Sequence, residues 1–153
     1  MADVSSTAAV RSLASDDFDR WLVLWHGYLS FYREELTPQM TRHSFERLSG
    51  GEAQMHGLVA VVDGELAGFA HLVVHPKTWS RAPDCYLEDL FVAAAHRGGA
   101  TSRALIEATY AKARELGCDR VYWRTQQFNG RARSFYDQVG QLTSSVIYEH
   151  ELD

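Results

Sequence analysis

Three groups of residues in this chain have the types and spacing to do chemistry. Glu88 and Asp89 stand side by side in the otherwise apolar run Tyr86–Val92. Charge in such a run is costly unless it is paired or hydrated. The pair is therefore paired or hydrated, or one of the two sits as surface or capping charge, and regular strand alternation sends one to each face. The second group is the turn His96-Arg97-Gly98-Gly99-Ala100-Thr101-Ser102-Arg103, which leads into an amphipathic helix. The first N–H groups of a helix lack intrahelical partners, and the helix dipole favours an anion there. Arg97 and Arg103 add positive charge, and Thr101 and Ser102 add hydroxyls. The plain alternative is a tight turn with a Gly-Gly hinge. In the third group, Asn129, Ala132 and Tyr136 fall at helical spacing and share one face. Tyr136 there can reach the far end of a ligand held at the turn and donate a proton, or it can be a core tyrosine beside Phe135.

Other chemistries find no support. No Gly-Lys-Ser/Thr follows the glycines, so the turn is not a P-loop, and the Gly-x-Gly-x-x-Gly dinucleotide pattern is absent. Seven histidines (His26, His43, His56, His71, His75, His96 and His150) show no ligand spacing, and Cys85 and Cys118 form no metal motif. No metal is expected. Both thiols sit in apolar surroundings and fit a reducing, cytoplasmic setting.

The elements that must position these residues follow from periodicity. Ala9–Leu13 reads as a short strand. Ser15-Asp16-Asp17 offers an N-cap and first-turn acids to a helix with apolar Phe18, Trp21, Leu22, Trp25, Tyr28, Leu29 and Tyr32. Pro38 opens a second helix that stops at Ser49-Gly50-Gly51. Strands His56–Val62 and Leu66–Val74 are joined by Asp63-Gly64, a hairpin signal because both residues tolerate positive φ. Then come strand Tyr86–Val92, helix Ser102–Leu116 closed by Gly117, strand Arg120–Thr125, helix Gly130–Val139 and a last alternating strand, Ser145–Leu152. The order β-α-α-β-β-β-α-β-α-β predicts one α+β domain over residues 1–153. Its mixed sheet would be an antiparallel meander followed by a splayed parallel pair, with helices on both faces. A ligand is expected beyond the carboxyl ends of the parallel strands.

The segment Arg97-Gly98-Gly99-Ala100-Thr101-Ser102 resembles the Arg-Gly-x-Gly-x-Gly/Ala pyrophosphate loop of the GNAT superfamily, the acyl-CoA-dependent N-acyltransferases. The upstream Glu-Asp-Leu-Phe-Val strand and the downstream Asn129, Ala132, Phe135 and Tyr136 are similar to the same pattern. The N-terminal stretch Trp21 to Tyr32 resembles the branch of polyamine, histone and small-amine acetyltransferases. The resemblance implies a GNAT-like fold and acetyl-CoA as co-substrate, with direct transfer of acetyl to a primary amine. It implies Glu88 as the residue that removes the amine proton, directly or through water, and Tyr136 as the general acid for the leaving thiolate. Coenzyme contacts are implied for the backbone of Leu90, Phe91 and Val92, for Arg97, Gly98, Gly99, Ala100, Thr101, Ser102 and Arg103, and for Asn129 and Ala132. Trp25, Tyr28, Tyr32, Glu88 and Trp123 are the expected acceptor wall. Where the family has its second and third glycines this chain has Ala100 and Ser102. A positive φ at Ala100 would cost about 1–2 kcal/mol, and Ser102 would crowd a closely bound phosphate. That departure motivates the other reading, a non-catalytic acyl-CoA-binding or interaction module.

The 153 residues are 46% hydrophobic and 23% charged, with a net charge of −5. This suits a soluble domain with a core of its own, disfavours a nucleic-acid partner and favours a cationic substrate. No apolar run approaches the ~20 residues of a membrane span. The N-terminus lacks a signal-peptide pattern. The last strand, placed at a sheet edge, points to a homodimer.

Overall fold

The computed structural model describes residues 7–153. Its strands are β1 (Ala9–Ser12), β2 (Met55–Val62), β3 (Glu65–His75), β4 (Asp84–Val92) and β5 (Arg120–Tyr122). Its helices are α1 (Phe18–Phe31), α2 (Pro38–Ser49), α3 (Thr101–Glu115) and α4 (Gly130–Val139). The strands form one sheet in the order β1-β2-β3-β4-β5. The first three pairings are antiparallel and β4–β5 is parallel. The β2–β3 hairpin turns on Asp63 and Gly64, both at positive φ (51° and 79°), as that dipeptide predicts.

Strand alternation sends side chains into two cores. Leu58, Ala60, Ala70, Leu72, Cys85 and Leu87 pack with Leu105 and Ile106 of α3. Val59 and Phe69 pack on the other face with Trp21, Leu24 and Trp25 of α1 and Phe45 and Leu48 of α2. Burial of aromatic rings of this size, more than helix propensity, holds α1 in place. Thr37 caps α2, its hydroxyl accepting from the Met40 N–H at 3.1 Å, with Pro38 at the first helical position. Ser15 does not cap α1. Residues Ser15–Asp17 form a 3-10 turn, and the buried Asp17 carboxylate instead accepts from Arg11, Arg20 and the Ala14 N–H.

Two features of the sheet shape the site. First, β4 carries a β-bulge: His71 pairs with Asp89 but Leu72 pairs with Leu87, leaving Glu88 as the extra residue. The bulge reverses the alternation of β4. Leu87 and Leu90 therefore both face α3, and Asp89 turns toward α1, where His71 and Tyr28 hold it. The two carboxylates do not divide between the faces, because regular alternation fails at Glu88 itself, the extra residue. Second, β4 and β5 pair only over Asp84–Tyr86 and Arg120–Tyr122. Buried Asp84 fixes that stretch through Lys77 (2.6 Å) and Arg120. Tyr86 stacks on Tyr122 at 4.9 Å where pairing ends. Beyond it the strands part, so β5 stops at Tyr122 rather than Thr125.

The expected last strand, Ser145–Leu152, does not form: residues 141–153 carry no strand. Its apolar residues lie open, with Val146 75%, Tyr148 92% and Leu152 88% exposed. β5, the edge strand, is only three residues long and does not pair with them within this chain. Both cysteines are free. Among the described residues no helix is long and apolar enough to cross a membrane.

Candidate active site

The gap between β4 and β5 opens into a cleft of about 530 Å³. It is walled by α1, β4, the 97–103 turn, the segment after β5, and α4. The cleft brings together Glu88, Tyr136, Leu90, Phe91, Val92, Arg97, Gly98, Gly99, Ser102, Arg103, Asn129, Ala132, Tyr28, Tyr32 and Trp123. These residues are scattered over three-quarters of the chain, and the splay makes them neighbours. Three expected site residues do not line it. Ala100 and Thr101 lie at the start of α3, with the Thr101 side chain buried. Trp25 is buried in the α1 core, stacked between Trp21 and Tyr28. It lies behind Tyr28 of the cleft wall and is not part of the cleft surface.

The turn before α3 is built to meet an anion. Gly98 takes the left-handed conformation (φ 77°), which only glycine adopts without cost. Ala100 sits in the right-handed region (φ −77°) and is the cap position of α3, where no side chain supplies a cap hydrogen bond. The alanine at this place therefore costs no backbone strain. Its lack of a polar side chain leaves the first amides of α3 for an outside acceptor. Arg97 is pinned by donating Nε–H to the Val92 carbonyl at 3.0 Å. Arg103 donates to Gln138 Oε1 at 3.0 Å and ties α3 to α4.

At the other end, Asn129 caps α4, its Oδ1 accepting from the Ala132 N–H at 3.3 Å. This sets the helix phase that places Tyr136 in the cleft. Tyr136 packs edge-on against Trp123, centroids 5.5 Å apart. Trp123 in turn lies where a Cβ on Gly140 would come within 2.6 Å of its ring, so the end of α4 must be glycine for this contact. Burial, and Tyr32 nearby, push the Tyr136 phenol above its ordinary value. It stays protonated at neutral pH.

The Glu88 carboxyl is also pushed up, first by the surrounding protein and then by the Asp89 charge. Its side chain still reaches solvent through the cleft mouth. Asp89 itself is committed to a buried chain of hydrogen bonds. Trp21 Nε1–H can only donate, and it meets His71 Nε2 at 3.1 Å. The His71 proton is therefore on Nδ1, which donates to Asp89 Oδ2 at 2.9 Å. Tyr28 donates its hydroxyl to Asp89 Oδ1 at 2.6 Å. His71 stacks on Phe69 at 4.3 Å. The sequence reading left His71 among scattered histidines and gave Asp89 no role. A histidine in an apolar strand, opposite a helix stripe of Trp and Tyr, was the available signal. Arg124, Arg131, Phe31, Thr125 and Gln138 also line the cleft without having been singled out.

A strand gap ending at an uncapped, glycine-turned helix, with a carboxyl and a phenol both raised in pKa, can hold a long phosphorylated ligand and move protons at its far end. Comparison with known proteins gives this geometry a family. Residues 18–141 match the acetyltransferase (GNAT) family. The chain is 31% identical over 148 residues to a D-amino-acid N-acetyltransferase of Saccharomyces cerevisiae, covering 95% of this chain and 92% of that one. Its fold is shared by an aminoglycoside N-acetyltransferase solved with CoA (TM-score 0.84, 18% identity, 99% of each chain). It is shared too by a ribosomal-protein-alanine N-acetyltransferase from Brucella melitensis (TM-score 0.81, 21% identity, 95% of this chain and 100% of that one). The chain belongs to the GNAT acetyltransferase family and is an acetyl-CoA-dependent N-acetyltransferase.

Proposed function

We propose that this enzyme acetylates a small primary amine, with Glu88 as the base and Tyr136 as the acid. The observation that carries this reading is the placement of both residues in one cleft of about 530 Å³, beside the uncapped start of α3. The size of the cleft suits a metabolite better than a folded protein surface. The yeast relative acts, by its name, on D-amino acids, which supports an amino acid as the acceptor. Acetyl-CoA supplies the activated acetyl thioester when bound. The amides of residues 98–103 hold the diphosphate, assisted by Arg97 and Arg103. The β4 backbone from Leu90 to Val92, unpaired on its β5 side, holds the pantetheine arm as an added strand would. A free N–H there polarises the thioester carbonyl. Asn129 and Ala132 contact the arm from α4.

An amine arrives protonated and must lose a proton before it attacks. Glu88, raised above the ordinary carboxylate range, accepts it directly or through water. The free amine then forms the C–N bond as the C–S bond breaks; Tyr136, kept protonated at rest by its raised pKa, gives its proton to the departing thiolate and recovers one from the second N–H that the nitrogen sheds. Tyr28 and Tyr32 wall the acceptor side, with Tyr28 locked by Asp89. A thiol-release assay over polyamines, D- and L-amino acids, aminoglycosides and peptide amines tests the reading. Turnover confined to small amines supports it, and turnover of peptides alone overturns it.

The active form is a cytoplasmic homodimer. Residues 141–153 offer alternating apolar side chains with no partner strand among the described residues, beside a groove of about 1180 Å³ against β5. A second copy supplies the missing edge. Ultracentrifugation of the full chain and of a chain ending at Gln141 checks this: the first should sediment as a dimer and the second as a monomer.

A further inference from the structure

Trp123 and Arg124 leave β5 on opposite faces, as alternation requires. Trp123 turns to Tyr136 and α4. Arg124 turns the other way, its guanidinium carbon 5.0 Å from the centre of the Tyr86 ring, which itself stacks on Tyr122. This is the acceptor side of the cleft, away from Arg97 and Arg103 at the coenzyme turn. Arg124 lines the cleft with Glu88 and is close enough for its charge to oppose the upward shift of that carboxyl. Among the described residues Arg11, Arg20, Arg47, Lys77, Lys112 and Arg120 are paired with carboxylates of the protein, whereas the cleft arginines, Arg97, Arg103, Arg124 and Arg131, are not. Arg124 is held by an aromatic ring, which orients it but leaves its N–H donors open. A planar fork of donors, set against a ring beside the base, matches a carboxylate.

We propose that Arg124 reads a carboxylate on the acceptor, so that the substrate is an amino acid and not a polyamine. This rests on the small-acceptor reading above. An α-amino acid would present its amine to Glu88 and its carboxylate to Arg124 at once. A polyamine would bring a second ammonium against the guanidinium, with no oxygen to accept its hydrogen bonds.

The test compares an amino acid, in D and L forms, with its amide and its decarboxylated amine, at saturating acetyl-CoA, for wild type, Arg124→Gln and Arg124→Lys. Wild type should favour the amino acid over its amide by about ten- to hundredfold in kcat/KM, the range for a charge-assisted hydrogen bond. Arg124→Gln should lose that preference through KM for the amino acid, with KM for acetyl-CoA unchanged; because the lost charge also acts on Glu88, the acceptors are compared with one another within each enzyme at one pH. Arg124→Lys should fall between, since an ammonium lacks the fork. Equal use of all three acceptors by wild type overturns the assignment of Arg124 alone. So does an Arg124→Gln enzyme that keeps the preference, or one that loses acetyl-CoA affinity instead. A wild type that turns over none of the three, nor any other small amine, overturns the small-acceptor reading and this one with it.

Discussion

Tyr136→Phe isolates the acid step. The substitution keeps the ring that packs against Trp123 at 5.5 Å and Phe135 at 5.7 Å. It removes one oxygen, and no protein hydrogen bond contributes to the raised pKa of that hydroxyl, which comes from burial and from Tyr32. Losing it should leave stability within about 0.5 kcal/mol of wild type and acetyl-CoA affinity unchanged. General acid catalysis is typically worth about 10²–10⁴-fold. A thiolate of pKa ~8.5 leaves readily, so the low end applies. The expected loss is about a hundredfold in kcat, or roughly 2.7 kcal/mol in the barrier. Stopped-flow thiol release at saturating acetyl-CoA measures the step, and calorimetry measures the affinity. The raised phenol also predicts no loss of wild-type activity from this group below about pH 10. A Tyr136→Phe enzyme that releases thiol at the wild-type rate, with affinity intact, would refute the role. A variant that loses coenzyme binding instead would show that the hydroxyl serves the ligand and not the proton.

Three further outcomes follow from the geometry. Because the Glu88 carboxyl is raised above 4.5 and works as the anion, kcat/KM should fall as pH drops through that raised value, and Glu88→Gln should lower activity and abolish this limb of the profile. His71→Leu fills the buried site but strands Trp21 Nε1–H and one Asp89 oxygen. At about 1–3 kcal/mol for each unsatisfied group, urea unfolding should show a loss of about 2–6 kcal/mol, and an unchanged midpoint would remove the network from the account. Asp17 is held near pKa 2, against 3.8, by Arg11, the Ala14 N–H and Arg20. Its ionised form is favoured in the fold, so its contribution is complete above pH 3.8 and vanishes as pH falls through about 2. Each pKa unit is about 1.4 kcal/mol. Allowing for solvent around the two arginines, Asp17→Asn should cost about 2 kcal/mol at pH 7 and match wild type near pH 2. A gap that persists in acid would mean packing, not charge, is lost.

Much of this architecture is written locally. The Asp63-Gly64 turn, the cap at Asn129, the 3.6-residue stripe of α1 and the glycine turn before α3 each depend on residues within a few positions of one another. Periodicity and turn chemistry therefore determine the element order, and the motif through Arg97–Ser102 and Asn129–Tyr136 determines the family. What periodicity cannot carry is a change of register made by pairing with another strand. The bulge at Glu88 exists because β4 is matched against β3, and it alone turns Asp89 toward His71 and Tyr28. The same non-local matching ends β5 at Tyr122, opens the cleft and sends Arg124 to the acceptor side. It withdraws Trp25 into the core, where α1 packs against Phe69 of β3. It leaves Val146 to Leu152 unpaired, since alternation specifies a strand but only a neighbouring backbone can complete one.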